Sequence, residues 1–341
     1  MAGMRRDKTR SWSLALLVTS MVAVAGLCAQ PWPGWSKASA ADQFELRIAT
    51  VAPEGTPWEK QLRTFKKHIE KASGGRFKVK MFMGGTLGGE KTLVRRTAQG
   101  NLEVFGGSAG AMGTLVSELN VIESPYLFSD AAQADRVLDG PVKDQIKTIV
   151  RKKGFVFGLW AENGFRSWFS KERPVRTPGD MKGLRMRSQE SPVHLKTYEA
   201  LGASPVPIDI TNVLTSLQTG VVDGFDNTPL YAFAASWYQA IGHVTLSRHC
   251  YQPGVVVYSR RWFDSLPADL QEILSEIPQN LVVKGRQDVR AMDPVLVENL
   301  ERYGVKVHRP TAEERLAFVK ATKGVADRYV KSAGPAARKL L

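Results

Sequence analysis

The chain has 341 residues, 43% of them hydrophobic, and a formal net charge of +14. That length and apolar content can bury a substantial core and suggest two α/β lobes, which excludes a disordered or fibrous chain. The basic balance invites a nucleic-acid reading, yet beyond the first forty residues the cations alternate with acids. The longest cluster there is Arg151-Lys152-Lys153, and no zinc-finger or RNA-binding signature accompanies it, so no nucleic-acid partner is expected.

Residues 1–40 read as an export signal. Arg5, Arg6, Lys8 and Arg10 precede an apolar run from Leu14 to Cys28, Pro31 and Pro33 break it, and Ala38-Ser39-Ala40 offers a small-residue cleavage site. The expectation is cleavage after Ala40 and a periplasmic location. An uncleaved anchor is the alternative, but a span needs about 20 apolar residues and this run is shorter. Leu27 is also too large to precede a lipid-modified Cys28. Loss of the segment removes five basic residues and Asp7, so the charge falls from +14 to +10. Cys250 is then the only thiol, and no intrachain disulfide can form.

From Phe44 to Val51 the pattern is that of a strand. Thr56-Pro57-Trp58-Glu59 follows with an N-cap, a proline at the first helical position and a glutamate placed for a capping box. Trp58, Leu62, Phe65 and Ile69 then recur at helical spacing, Gly74-Gly75 ends the helix, and Phe77 to Phe82 is the next strand. Further strands are expected near 103–105, 155–160, 184–187, 204–207 and 253–259, with helices between them, which implies mainly parallel sheets covered on both faces. After Pro267 a long helical stretch, interrupted at Pro278, runs to Tyr303. A short strand, Val305 to Val307, and a helix opened by a capping box from Thr311 to Glu314 complete the pattern.

Two glycine-rich segments carry possible chemistry. Gly106-Gly107-Ser108-Ala109-Gly110 has the G-x-S-x-G form of a nucleophile elbow, with Asp226 and then His243 or His249 downstream in hydrolase order. A secreted serine hydrolase acting through Ser108 is therefore the alternative reading. The preferred one is that these glycines let backbone N–H groups approach a ligand, with Ser108 as a hydrogen-bond donor, because such patterns recur in ordinary turns and neither histidine lies in a recognisable loop. Gly84 to Thr92 is nearly a phosphate loop, but Glu90 stands between glycine and lysine, so we read a turn before a helix. The five histidines show no H-E-x-x-H spacing, and His249 beside Cys250, even with His243, is short of a ligand set; no metal and no cofactor is expected.

Residues 164–187 hold five arginines interleaved with apolar side chains. In Leu184-Arg185-Met186-Arg187 the period of two puts both arginines on one face of a strand. Arg185, nearer the strand start, is expected to pair with an acid at the sheet end. Arg187 comes at the carboxyl end, where open α/β sheets place their ligands, and an unpaired guanidinium there suits a planar anion.

The segments LRIATVAPEGTPWE at 46–59, GGTLGGE at 84–90, SPYLF at 124–128, NGFRSWFSKERPVRTPGDMKGLRMR at 163–187, LGASPVPI at 201–208 and LQTGVVDGFDNTP at 217–229 resemble the solute-binding proteins of TRAP transporters, of the dicarboxylate-receptor type. The resemblance extends over nearly all of residues 44–335. It implies a two-lobed periplasmic binding protein with mixed, mainly parallel sheets and a hinge. Such a protein is a monomeric receptor, not an enzyme; it closes on an organic acid and delivers it to a membrane permease.

By resemblance, Arg187 forms a two-pronged salt bridge with the ligand carboxylate, and Arg166 and Asn227 are further cleft residues. Ser188-Gln189, Phe225 and Asp226 depart from the family's usual residues, which bears on the pocket. Trp160, Trp168 and Phe225 either line the cleft or pack the lobes. Asp226 and Glu162 either accept hydrogen bonds from ligand hydroxyls or balance Arg166. A small dicarboxylate or hydroxy acid and a larger, more apolar monocarboxylate both remain open as cargo. The same analogy assigns residues 41–163 plus 253–292 to one lobe and 164–252 plus 293–341 to the other, with a long helix near 279–303 bracing both.

Overall fold

The computed structural model describes residues 42–341. The expected export signal and Cys28 lie outside the described residues.

Among the described residues nine strands form one mixed sheet: β1 (Phe44–Ala49), β2 (Phe77–Phe82), β3 (Val104–Ser108), β4 (Phe155–Ser170), β5 (Arg185–Ser188), β6 (Ser204–Pro207), β7 (Gly224–Asn227), β8 (His243–Ser259) and β9 (Lys306–His308). Their order is β2-β1-β3-β8-β4-β7-β5-β6, with β9 beside β8. The pairings β1/β2, β1/β3, β5/β6, β5/β7 and β8/β9 are parallel, as the helix-linked pattern predicts. Every antiparallel pairing involves one of the two long central strands, β4 or β8.

Those two strands run the length of the molecule and join its two ends. At one end β3 and β8 alternate between two cores. Val104, Val256 and Tyr258 join Leu62, Phe65 and Ile69 of the helix Pro57–Ala72, while Phe105, Val255 and Val257 point into a second cluster. Burial of each large apolar side chain of that helix contributes about 1.5–3 kcal/mol. At the other end Phe169, Phe225 and Val244 form one core, and Trp168, Met186 and Phe318 another. The result is the two-lobed α/β architecture of a periplasmic binding protein, with the helix Gln279–Arg302 packed along both β4 and the helix Pro229–Ala234.

Between the two ends the β4/β8 register shifts at Phe157/Leu159, Glu162/Gly164 and Arg166/Trp168. Gly164 has φ of +101°, a conformation that glycine alone adopts freely, so this residue permits the bend where the chain passes from one core to the next. Val325 onward packs against the core that includes Phe105: Tyr329 receives a hydrogen bond from Asn120 and donates one to the Ser117 carbonyl.

Candidate functional site

The carboxyl ends of β1, β3, β5 and β7 converge on one cavity, together with the middles of β4 and β8. It holds about 600 Å³ of space between protein atoms, counting the open solvent at its mouth. Arg187, Arg166, Asn227, Gln189 and Ser108 all line it, so the structure brings together half of the residues singled out from the sequence.

Arg187 is 2% exposed, and among the described residues the one hydrogen bond its side chain donates runs from Nε to the Ile208 carbonyl at 3.0 Å. Its guanidinium carbon lies 5.8 Å from the centre of the Trp237 ring. Among the described residues no carboxylate forms an ion pair with it. Burial, and next the Arg166 charge, push its pKa below the ordinary arginine value against the pull of Asp226. Both terminal nitrogens thus remain for an incoming anion. Arg185, on the same strand, is exposed and forks onto Asp223 with Nε at 3.1 Å and Nη2 at 2.6 Å, the pairing expected for the strand start.

Arg166 is paired. Its Nε donates to Asp226 Oδ2 at 2.5 Å, one terminal nitrogen donates to the Asp226 carbonyl, and the other reaches Gln252 Oε1 at 2.9 Å. Asp226 is fully buried and also accepts from Tyr198 Oη at 2.8 Å. Burial alone would raise its pKa, but the charge of Arg166 and hydrogen bonds from His194 and His249 hold it well below the usual carboxylate range.

Asp226, Phe225, Trp168, Trp160 and Glu162 are absent from the cavity wall. Asp226 sits behind Arg166. Phe225 stacks on Phe169 at 4.7 Å, and Trp168 stacks on His249 at 3.4 Å. Trp160 packs edge-on to Phe157 and donates to the Leu138 carbonyl at 3.0 Å. Glu162 accepts from Tyr251 Oη at 3.0 Å and Arg290 Nε at 2.8 Å, tying the long helix to β4. For the aromatic residues lobe packing is the role observed, and for Asp226 it is charge balance with Arg166.

Ser108 caps the short helix Ala109–Met112 by accepting from the Ala111 N–H at 3.1 Å. Its hydroxyl donates to Glu90 Oε2 at 2.9 Å and receives Gln189 Nε2 at 3.0 Å; none of these partners is a histidine. The flanking glycines have a different explanation from that of a nucleophile elbow. A Cβ on Gly107 would come 2.3 Å from Phe105 Cζ and 2.5 Å from Glu90 Oε1, and one on Gly110 would come 2.5 Å from Glu123 Oε2 and 2.6 Å from Gln189 Nε2. These glycines make room for the Phe105 ring, the Gln189 amide and the carboxylates of Glu90 and Glu123.

Glu90 is the principal site residue that sequence reasoning missed. It opens the helix Glu90–Ala98, accepts the Ser108 N–H at 2.7 Å, lines the cavity, and has its pKa raised by burial. The residue that spoiled the phosphate-loop pattern was itself the signal. Trp58, Asn163, Tyr231 and Gln252 also line the wall. Asn163 accepts Trp58 Nε1 at 2.7 Å, and Tyr231 Oη donates to the Val51 carbonyl at 3.0 Å.

A cavity enclosed by two lobes and lined by a buried, uncommitted guanidinium defines a receptor for small anionic solutes. The chain belongs to the DctP family, the bacterial extracellular solute-binding proteins of family 7, whose model matches residues 48–332. It is 35% identical over 276 residues to a solute-binding protein of Verminephrobacter eiseniae, covering 78% of this chain and 82% of that one. It is 28% identical over 315 residues to the 2,3-diketo-L-gulonate-binding periplasmic protein YiaO of Escherichia coli, covering 92% and 94%. A TRAP periplasmic solute-binding protein from Polaromonas sp. JS666, solved with D-erythronate bound, superposes with a TM-score of 0.82 at 27% identity, covering 87% of this chain and 98% of that one. Members of this family are receptors for organic acids rather than enzymes, which favours transport over the hydrolase reading of Ser108.

Proposed function

We propose that this protein is the periplasmic receptor of a TRAP transporter, exported by the segment 1–40, and that it acts as a monomer. It captures an organic acid by a two-pronged salt bridge from Arg187, closes its lobes over it, and presents it to the membrane permease. The carrying observation is Arg187 itself: a buried guanidinium, bonded among the described residues only through Nε, facing the cavity. Each charge-assisted hydrogen bond it forms with a carboxylate contributes about 1.5–3 kcal/mol. Asn227 and Gln189 add neutral hydrogen-bonding groups, and Arg166 holds the wall in place through Asp226. The relative solved with D-erythronate supports an acid of this size.

We assign residues 41–163 plus 253–292 to one lobe and 164–252 plus 293–341 to the other. The separate cores around Leu62 and around Phe169 support this, while the packing of Tyr329 near Ser117 ties the C-terminal residues to the first lobe as well.

A thermal-shift screen of organic acids tests the proposal. A ligand at 100 times its Kd stabilises the folded state by about 2.7 kcal/mol, so the wild type should melt higher with its acid. Arg187→Ala should show no shift at the same concentration. An equal shift in both proteins would sink the reading.

A further inference from the structure

The cavity wall contains three charged side chains, Glu90, Arg166 and Arg187. Arg166 is matched by Asp226 behind it through the 2.5 Å contact from Nε. One cation and one anion are left facing the same enclosed space. The remaining polar liners, among them Asn163, Gln189, Asn227 and Gln252, are neutral.

Glu90 accepts the Ser108 N–H and hydroxyl. A carboxylate offers about four acceptor positions, so two are without a protein donor among the described residues. The apolar liners Val51, Ala52, Pro53, Trp58 and Leu230 can receive only a carbon skeleton.

Resting on the Arg187 reading above, we propose that the cargo is a hydroxylated monocarboxylate rather than a dicarboxylate, its acid head on Arg187 and a hydroxyl donated to Glu90. A second ligand carboxylate would leave water with no cation to receive it and with an anion nearby, and both effects disfavour it. A hydroxyl in its place satisfies Glu90 without adding charge. A proton on Glu90 would keep it a partner for hydroxyls and would still leave a second carboxylate without a counter-charge.

The test uses acids that differ only at the far end: erythronate against meso-tartrate, and galactonate against galactarate, where a terminal CH₂OH becomes a carboxylate. Succinate and octanoate serve as unhydroxylated controls. Calorimetric titration of the wild type should show at least one of the two monoacids binding at least tenfold more tightly than its diacid partner and than both controls. Glu90→Gln should shrink that ratio at least threefold, by weakening the monoacid and admitting the diacid. The inference is overturned if a diacid equals or exceeds its monoacid, if a control binds most tightly, if neither monoacid binds, or if a folded Glu90→Gln leaves the ratio unchanged. The wild-type comparison stands even where Glu90→Gln does not fold. Titration of Arg187→Ala separates the two levels. Binding that survives in that variant refutes the Arg187 reading itself, whereas binding lost there but led by a diacid or a control refutes only the class named here.

Discussion

Arg166 and Arg187 share one cavity wall and have opposite surroundings. Arg166 is held by the carboxylate and carbonyl of Asp226 and by Gln252, so removing it strands a buried anion with only Tyr198, His194 and His249 beside it. Arg187 has a single side-chain acceptor among the described residues, so removing it relieves a buried cation. In ligand-free urea unfolding, Arg166→Ala should lose about 3–5 kcal/mol, the usual cost of breaking a buried pair, while Arg187→Ala should lose little or gain. Equal losses would mean that Arg187 is compensated after all. The difference between Arg185 and Arg187 was legible from the sequence, because strand position decides which end of a sheet an arginine reaches. The pairing of Arg166 was not, since its contact with Asp226 depends on β4 and β7 lying side by side. Glu90 was hidden for a related reason: its partners, the N–H and hydroxyl of Ser108, lie on another element.

Local capping and periodicity predicted most elements, and they failed where neighbours decide. The strand Phe77–Phe82 matches the expectation residue for residue, and Thr311 and Glu314 form the capping box read from the sequence. At the first helix Thr56 caps the Glu59 N–H as expected, but the Glu59 carboxylate turns to the Gly55 N–H instead of closing the box on Thr56. β7 escaped the sequence pass because Gly224–Asn227 has too few residues to show a period and owes its extension to pairing with β4 and β5. The expected strands at 155–160 and 253–259 extend to Ser170 and back to His243, through bulges that interrupt the alternation. Gly164 marks one of them. A Cβ there meets only Thr228 Cγ2 at 3.7 Å and Val289 Cγ1 at 3.9 Å, so any penalty comes from the backbone and not from crowding. Gly164→Ala should therefore cost about 1–2 kcal/mol, read as a lower urea midpoint with an unchanged slope. A neutral result would show that the bend does not need the left-handed conformation.

For the whole molecule, the question is what holds the two lobes together over the cavity. A ligand favours closure only through contacts it makes better in the closed form. The protein adds contacts of its own. Tyr231 Oη donates to the Val51 carbonyl at 3.0 Å and Gln189 Nε2 to Ser108 Oγ at 3.0 Å, each joining segments assigned above to different lobes. Lys91 and Glu190 also meet, at 3.3 Å, but in a half-exposed position where water screens an ion pair to about 0–1 kcal/mol. Enclosed bonds matter more, and beside these two the buried contacts Ser191–Asn120 and His194–Glu123 join the same segments. Each of the first two is worth about 0.5–1.5 kcal/mol, and opening the cleft hands both to water. Tyr231→Phe keeps the ring packed against Trp237 at 5.1 Å and deletes one bond, so it shifts the balance toward the open form without disturbing either core. The population shift should appear as about a two- to tenfold rise in Kd for the identified acid, carried by faster dissociation, because encounter with the open form is unchanged. Stopped-flow binding separates the two rates. An unchanged dissociation rate in Tyr231→Phe would show that the 3.0 Å bond to Val51 does not help hold the cleft shut.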